Sequence, residues 1–123
     1  MAGGTWRPIL QSSNLASFSP GEERFLTSED DGKTYRAKLE KDGKLTTSIF
    51  AERGGTSVVS DQAGNVYIAG DQVYIYDRQG KQTGTLEVPE RPGSLAFGGP
   101  GKQTLFIGAR GSIYAIRTAA PGN

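Results

Sequence analysis

The chain has no cysteine and no histidine. Disulfide staples, thiolate zinc sites, cysteine nucleophiles and serine–histidine–aspartate triads are therefore excluded within it by composition alone. Long apolar runs are missing as well. Nothing approaches the ~18 consecutive apolar residues of a membrane-spanning helix, and Met1-Ala-Gly-Gly-Thr-Trp-Arg-Pro8 lacks the apolar stretch of a secretory signal. Nor does one sign of charge dominate. The chain carries 14 Lys and Arg against 13 Asp and Glu, a net charge of +1 with no basic stripe, so the footprint of a nucleic-acid binder is absent. These absences lead to the expectation of a soluble, cytoplasmic protein that engages neither nucleic acid nor membrane.

Glycine is plentiful instead, at 18 of 123 residues, while hydrophobic residues make up 35%. That is the balance of a turn-rich, short-stranded all-β fold, in a chain long enough for one ordinary domain. Regularly spaced Val, Ile, Tyr and Phe runs argue against disorder.

The most informative pattern is self-similarity. Leu15 to Ser28, Ser57 to Ala69 and Ser94 to Gly108 share one plan: an apolar strand, a polar turn, then a strand of small and aromatic residues. Superimposing Phe25, Tyr67 and Phe106 gives offsets of 42 and 39 residues, and a period of about 40 with four short strands per unit is the signature of a propeller. A third strand follows in each unit: Thr34–Lys38, Val73–Asp77 and Ser112–Ile116. Asp-Gly pairs in Asp30-Asp-Gly-Lys33 and Asp42-Gly43, and the glycine of Arg78-Gln-Gly80, supply the positive φ of tight hairpins. Outer strands are expected at Leu45–Phe50 and Thr83–Val88. Thr5–Leu10 reads as a lone outer strand, confined to an edge by Pro8.

The expected architecture is thus an all-β partial β-propeller of about three four-stranded antiparallel blades, half of a six-bladed ring, spanning 1–123 as a single partial propeller. Blade one covers 14–51, blade two 57–88, and blade three 94–117 without an outer strand. Residues 118–123 read as a flexible tail. A half-ring leaves apolar faces and edges open. The chain is accordingly expected either to be a truncated piece of a longer product or to pair with itself as a homodimer completing a six-bladed ring.

The run Ala63-Gly-Asn-Val-Tyr-Ile-Ala69, Val73-Tyr-Ile-Tyr-Asp77, Val88-Pro-Glu-Arg-Pro92, Leu95-Ala-Phe-Gly-Gly-Pro100, Leu105-Phe-Ile-Gly-Ala-Arg110 and Ser112-Ile-Tyr-Ala-Ile-Arg117 resembles the C-terminal blades of the gluconolactonase/regucalcin (senescence-marker-protein) family. The likeness runs from roughly Gly54 to Thr118 and more weakly toward Ser19. It implies a six-bladed propeller and metal-dependent hydrolysis of a sugar lactone, with a divalent metal (Ca2+ or Zn2+) held by a Glu, an Asn and an Asp from different blades. Oxygen ligands suit such a cation, which polarises a carbonyl and acidifies bound water. The family's Asn falls on Asn14, within Ser13-Asn-Leu-Ala-Ser-Phe-Ser-Pro-Gly21. Its Asp falls on Thr56, a neutral hydroxyl, and its Glu has no counterpart. Asn14 reads first as a turn or strand-end residue bonded to backbone and second as a metal or ligand contact; Asp61 reads first as part of the Asp61-Gln-Ala-Gly64 hairpin turn and becomes the ligand candidate if the family's Asp aligns a few residues past Thr56. The alternative reading is a non-catalytic propeller scaffold or binding module.

Other features have plainer readings. Glu29-Asp-Asp31 lacks the spaced oxygens of a calcium loop and reads as a solvated turn. Gly98-Gly-Pro-Gly101 has no following Lys-Ser/Thr and reads as a blade turn rather than a phosphate cradle. Trp6, Tyr67, Tyr74, Tyr76, Phe106 and Tyr114 sit at strand spacing and read as packing between blades. Arg36, Arg110 and Arg117 read as surface arginines, with a channel lining as the sharper option.

Overall fold

The computed structural model describes residues 21–123; the strand expected at 5–10, the start of blade one and Asn14 lie outside the described residues. Among the described residues there are ten strands: β1 (Glu23–Ser28), β2 (Lys33–Leu39), β3 (Leu45–Ala51), β4 (Ser57–Ser60), β5 (Val66–Ala69), β6 (Val73–Tyr76), β7 (Gln82–Leu86), β8 (Pro92–Gly98), β9 (Thr104–Ala109) and β10 (Ile113–Arg117). They form three antiparallel meanders ordered β1-β2-β3, β4-β5-β6-β7 and β8-β9-β10, the blades of a partial propeller. Among the described residues no helix is long and apolar enough to cross a membrane. The outer strand of blade two stops at Leu86 rather than Val88. There the Val88 N–H is taken by the Gln72 side-chain oxygen at 2.6 Å, and Pro89 has no N–H to continue a ladder.

Both faces of blade two are apolar, which is why its strands do not read as a simple inside–outside alternation. In register, Val58, Ile68 and Tyr74 share one face, and Val59, Tyr67 and Ile75 share the other. The first face, with Val66 and Tyr76, packs against Phe25, Phe50 and Ala51 of blade one. The second, with Ala69, Val73 and Leu86, packs against Leu95, Phe97, Leu105 and Ile107 of blade three. Aromatic edges meet faces across both seams, Phe50 on Tyr76 at 6.2 Å and Tyr67 on Phe97 at 5.6 Å. Ile68 and Leu105 are completely buried, each contributing about 1.5–3 kcal/mol of burial.

One hairpin design recurs three times. In Glu40–Lys44, Asp61–Asn65 and Asp77–Lys81 the fourth residue is a glycine at positive φ (Gly43 89°, Gly64 93°, Gly80 86°). Its N–H returns to the carbonyl of the first residue at 3.0–3.1 Å. This is the three-residue loop whose last position only glycine occupies without strain. Asp61 adds a buried carboxylate to its copy. One oxygen accepts the Ala63 and Asn65 N–H groups, and the other accepts the Asn65 amide and the Tyr67 hydroxyl at 3.0 Å. Four donors satisfy the carboxylate, and among the described residues it has no basic partner.

The link between blades one and two passes through a gap that admits no side chain. A Cβ at Gly54 would run into the Ser28 carbonyl, and one at Gly55 into the Ala69 carbonyl. A buried relay lies beside it. The Gly55 N–H donates to Thr27 Oγ1 (2.9 Å), Thr27 and Thr34 hydroxyls meet at 2.8 Å, and Thr34 donates to the Arg53 carbonyl (2.7 Å). With the Thr34 proton spent on Arg53, Thr27 is the donor of the pair.

Residues 118–123, expected as a flexible tail, are instead docked. Pro121 accepts the Gln62 N–H, Gly122 donates to the Lys102 carbonyl, and Asn123 donates to the Ser60 carbonyl. The Asn123 amide reaches Ser60 Oγ and the Asp61 carbonyl. Gly122 lies against Phe97, where a Cβ would collide with the ring. Backbone pairing without side-chain periodicity holds the segment, so its composition gave no sign of order.

Two outcomes follow. Gly54→Ala lowers the urea midpoint by the equivalent of about 2 kcal/mol or more, whereas the same change at Gly93, whose Cβ would sit at ordinary distance, costs less. Burial first, and then the hydrogen bond to Asp61, push the Tyr67 phenol up to about 12. The neutral phenol is the form the fold favours, so its contribution is complete below the unfolded value of about 10 and lost as pH rises toward 12. Tyr67→Phe removes that slope from stability measured across pH 9–12, and an unchanged slope refutes the assignment.

Candidate functional site

The propeller repeat carries the starts of β4 and β8, where Thr56 and Gly93 stand, to one rim of the stack. Thr56 enters β4 directly after the Gly54-Gly55 link, and that passage fixes its backbone. Its N–H donates to the Ala69 carbonyl at 2.9 Å, and its hydroxyl donates to the Gly93 carbonyl at 2.7 Å. The hydroxyl proton is therefore occupied in tying blade two to the entry of blade three. Leu95 N–H donating to Ser57 Oγ at 3.2 Å extends the same seam.

Charge on this rim is organised around Arg91, in the loop between β7 and β8. Its guanidinium bonds the Glu29 carboxylate from the β1–β2 turn and, at 2.6 Å, Asp71 from the β5–β6 turn. The next residue back, Glu90, accepts the Tyr114 hydroxyl at 2.6 Å and the Gly111 N–H at 3.2 Å. Those bonds, the Tyr114 one foremost, hold its carboxyl below the usual range and raise the Tyr114 phenol. Asp31 accepts the Tyr35 hydroxyl. The acidic turn at Glu29–Asp31 is thus divided between Arg91 and Tyr35 rather than gathered into one site.

A divalent cation of the kind the resemblance implies needs several anionic oxygens together. The first twenty residues contain no Asp, Glu, His or Cys, and among the described residues no three such side chains converge. Thr56 offers only a neutral oxygen whose proton is engaged. Among the described residues the donors do not gather into a metal site. Asn14 lies outside the described residues, so its part in any site is not placed.

The other candidates resolve into packing. Asp61 closes a hairpin at the opposite ends of the inner strands. Tyr74 lies beneath the Arg53 guanidinium, 3.6 Å from its ring centroid, while Arg53 Nε donates to Tyr76. Arg36 is wedged between blades, over Phe25 and Phe50 and donating to the Arg78 carbonyl. Arg110 and Arg117 are exposed. Gly98–Gly101 forms a turn with a single short 3-10 segment. The Arg91 bridge was missed by sequence reasoning. The Val-Pro-Glu-Arg-Pro motif flagged the loop, but its partners lie 20 and 62 residues away.

A crystal structure of a candidate gluconolactonase superimposes with a TM-score of 0.75 at 22% identity, over 85% of this chain and 38% of that one. The likeness is one of fold, and this chain spans well under half the length of that protein. No curated protein matches. The family model described as the SMP-30/gluconolactonase/LRE-like region matches residues 6–110. With that match running through all three blades, the chain belongs to the SMP-30/gluconolactonase/LRE-like family.

Proposed function

We propose that this chain supplies blades to a gluconolactonase-like ring, and that hydrolysis of a sugar lactone belongs to a fuller assembly rather than to this chain's own side chains. The observation that carries the reading is the state of Thr56. Where the family resemblance implies a carboxylate, this chain has a hydroxyl donated to the Gly93 carbonyl. Opening a lactone requires a polarised carbonyl and an activated water. The rim carboxylates Glu29 and Asp71 are both engaged by Arg91.

The same engaged hydroxyl favours a second reading, a non-catalytic propeller scaffold whose rim serves structure. One set of measurements separates them. Purified chain is assayed for sugar-lactone hydrolysis by pH-stat with Ca2+ or Zn2+ present, and titrated with each metal by calorimetry. Turnover at the buffer rate and no saturable heat are expected of the isolated chain under the first reading. Adding a metal-competent gluconolactonase-like half-propeller raises turnover above that half alone if this chain contributes to a working ring, and leaves it unchanged if it is a scaffold. Lactone turnover by the isolated chain well above the buffer rate overturns the proposal.

A further inference from the structure

Blade three presents to solvent the face that blade two keeps covered. The registers make the two blades directly comparable. On blade two, Val59, Tyr67 and Ile75 lie in one row, with Ala69 and Val73 paired beside them. On blade three the corresponding rows are Ala96, Phe106 and Ala115, and Ser94, Gly108 and Ile113. Blade three covers the first set so well that Tyr67 is 6% and Val73 0% exposed; their counterparts Phe106 and Ile113 are 38% and 78% exposed. Among the described residues no strand pairs with the outer edge of β10, where its sheet ends while blade two continues to β7. A small apolar groove of about 180 Å³, lined by Leu86, Val88, Ile107, Tyr114 and Ile116 among others, runs beside that edge.

The covering partner is specified by the contact that recurs inside the chain. Both internal seams bring the far face of one blade onto the near face of the next, burying branched and aromatic side chains. What fits blade three is therefore another blade of this repeat. Closed propellers use about 4–8 blades. The described residues form three sheets, and two copies of that set reach this range. At the other end of the stack, Leu26, Tyr35 and Ile49 share a row on blade one; Leu26 is buried, and Ile49 is 53% exposed. A head-to-tail contact that closes on itself after two copies is a permitted symmetric assembly.

We propose that the far face of blade three docks onto blade one of a second copy, the contact made twice so that two chains complete one ring. The assembly rests on the repeat and its exposed rows, and does not depend on lactone chemistry. It leaves Ile113 and Phe106 at the centre of each new seam, where apolar anchors dominate association.

The test is the mass of the purified full chain by sedimentation and light scattering, from low to high micromolar concentration. Twice the mass of one chain is expected, and Ile113→Glu weakens the dimer about tenfold or more. Since Ile113 is exposed in one chain, that variant retains the far-ultraviolet spectrum and melting cooperativity of the parent. Because the chain has no cysteine, oxidation of mixed Ile113→Cys and Ile49→Cys chains reads the geometry, and a mixed disulfide dimer is expected. A monomer at every concentration, a dimer indifferent to Ile113→Glu, an open-ended series of larger species, or a dominant Ile113→Cys self-linked dimer each overturns the proposal.

Discussion

Blades in this chain are sheets with apolar side chains on both sides, and every one of them has to be covered twice. That requirement governs most of what surrounds them. Blade two meets it fully, with Val66 and Ile68 against blade one and Tyr67 and Val73 against blade three. The links must bring sheets close enough for such contact, so the passage between the first two is the side-chain-free pair Gly54-Gly55. The polar groups stranded by that close approach satisfy one another through Thr27 and Thr34. Packing comes first here, and the hydrogen bonds are arranged to permit it.

The rim illustrates the same priority. A hydroxyl at such a rim would ordinarily be read as a ligand or a nucleophile. Thr56 carries no charge to offer a cation, and its proton is used to join two blades. Arg91 likewise links blades through two carboxylates instead of presenting a free cation. Family membership and local chemistry thus make separate statements. The first rests on a match through three blades, the second on which oxygen atoms have lone pairs and charge to spare.

Local signals carried the fold into the sequence. The strand pairs, the three hairpins and the apolar rows follow from period-two patterning and from glycine at fixed positions, each a matter of a few neighbouring residues. Tyr67 could be placed as a packing residue for that reason, whereas Phe106, at the same place in the next repeat, lies on an exposed face. The docked end at Pro121–Asn123 could not be placed, because its backbone and the Asn123 amide bond to Ser60, Asp61, Gln62 and Lys102, none of them a sequence neighbour, and Pro-Gly-Asn usually marks a loose end. Glu29, Asp71 and Arg91 are widely separated in sequence and meet only when the sheets are stacked. At Thr56 the residue type was visible and its commitment to Gly93 was not, since direction of donation is a property of the folded neighbourhood.

The Arg91 bridge also has a meaning in time. The hairpins join residues a few positions apart and can form early, whereas Glu29 and Arg91 are brought together across the longest stretch spanned by any ion pair among the described residues. Exposed as it is, the pair contributes little to equilibrium stability. It cannot exist before blade one has met blade two and the loop leaving blade two has been laid across both. It is therefore a marker of docking between blades, and a spectroscopic probe placed beside Arg91 would report their meeting rather than the folding of any one.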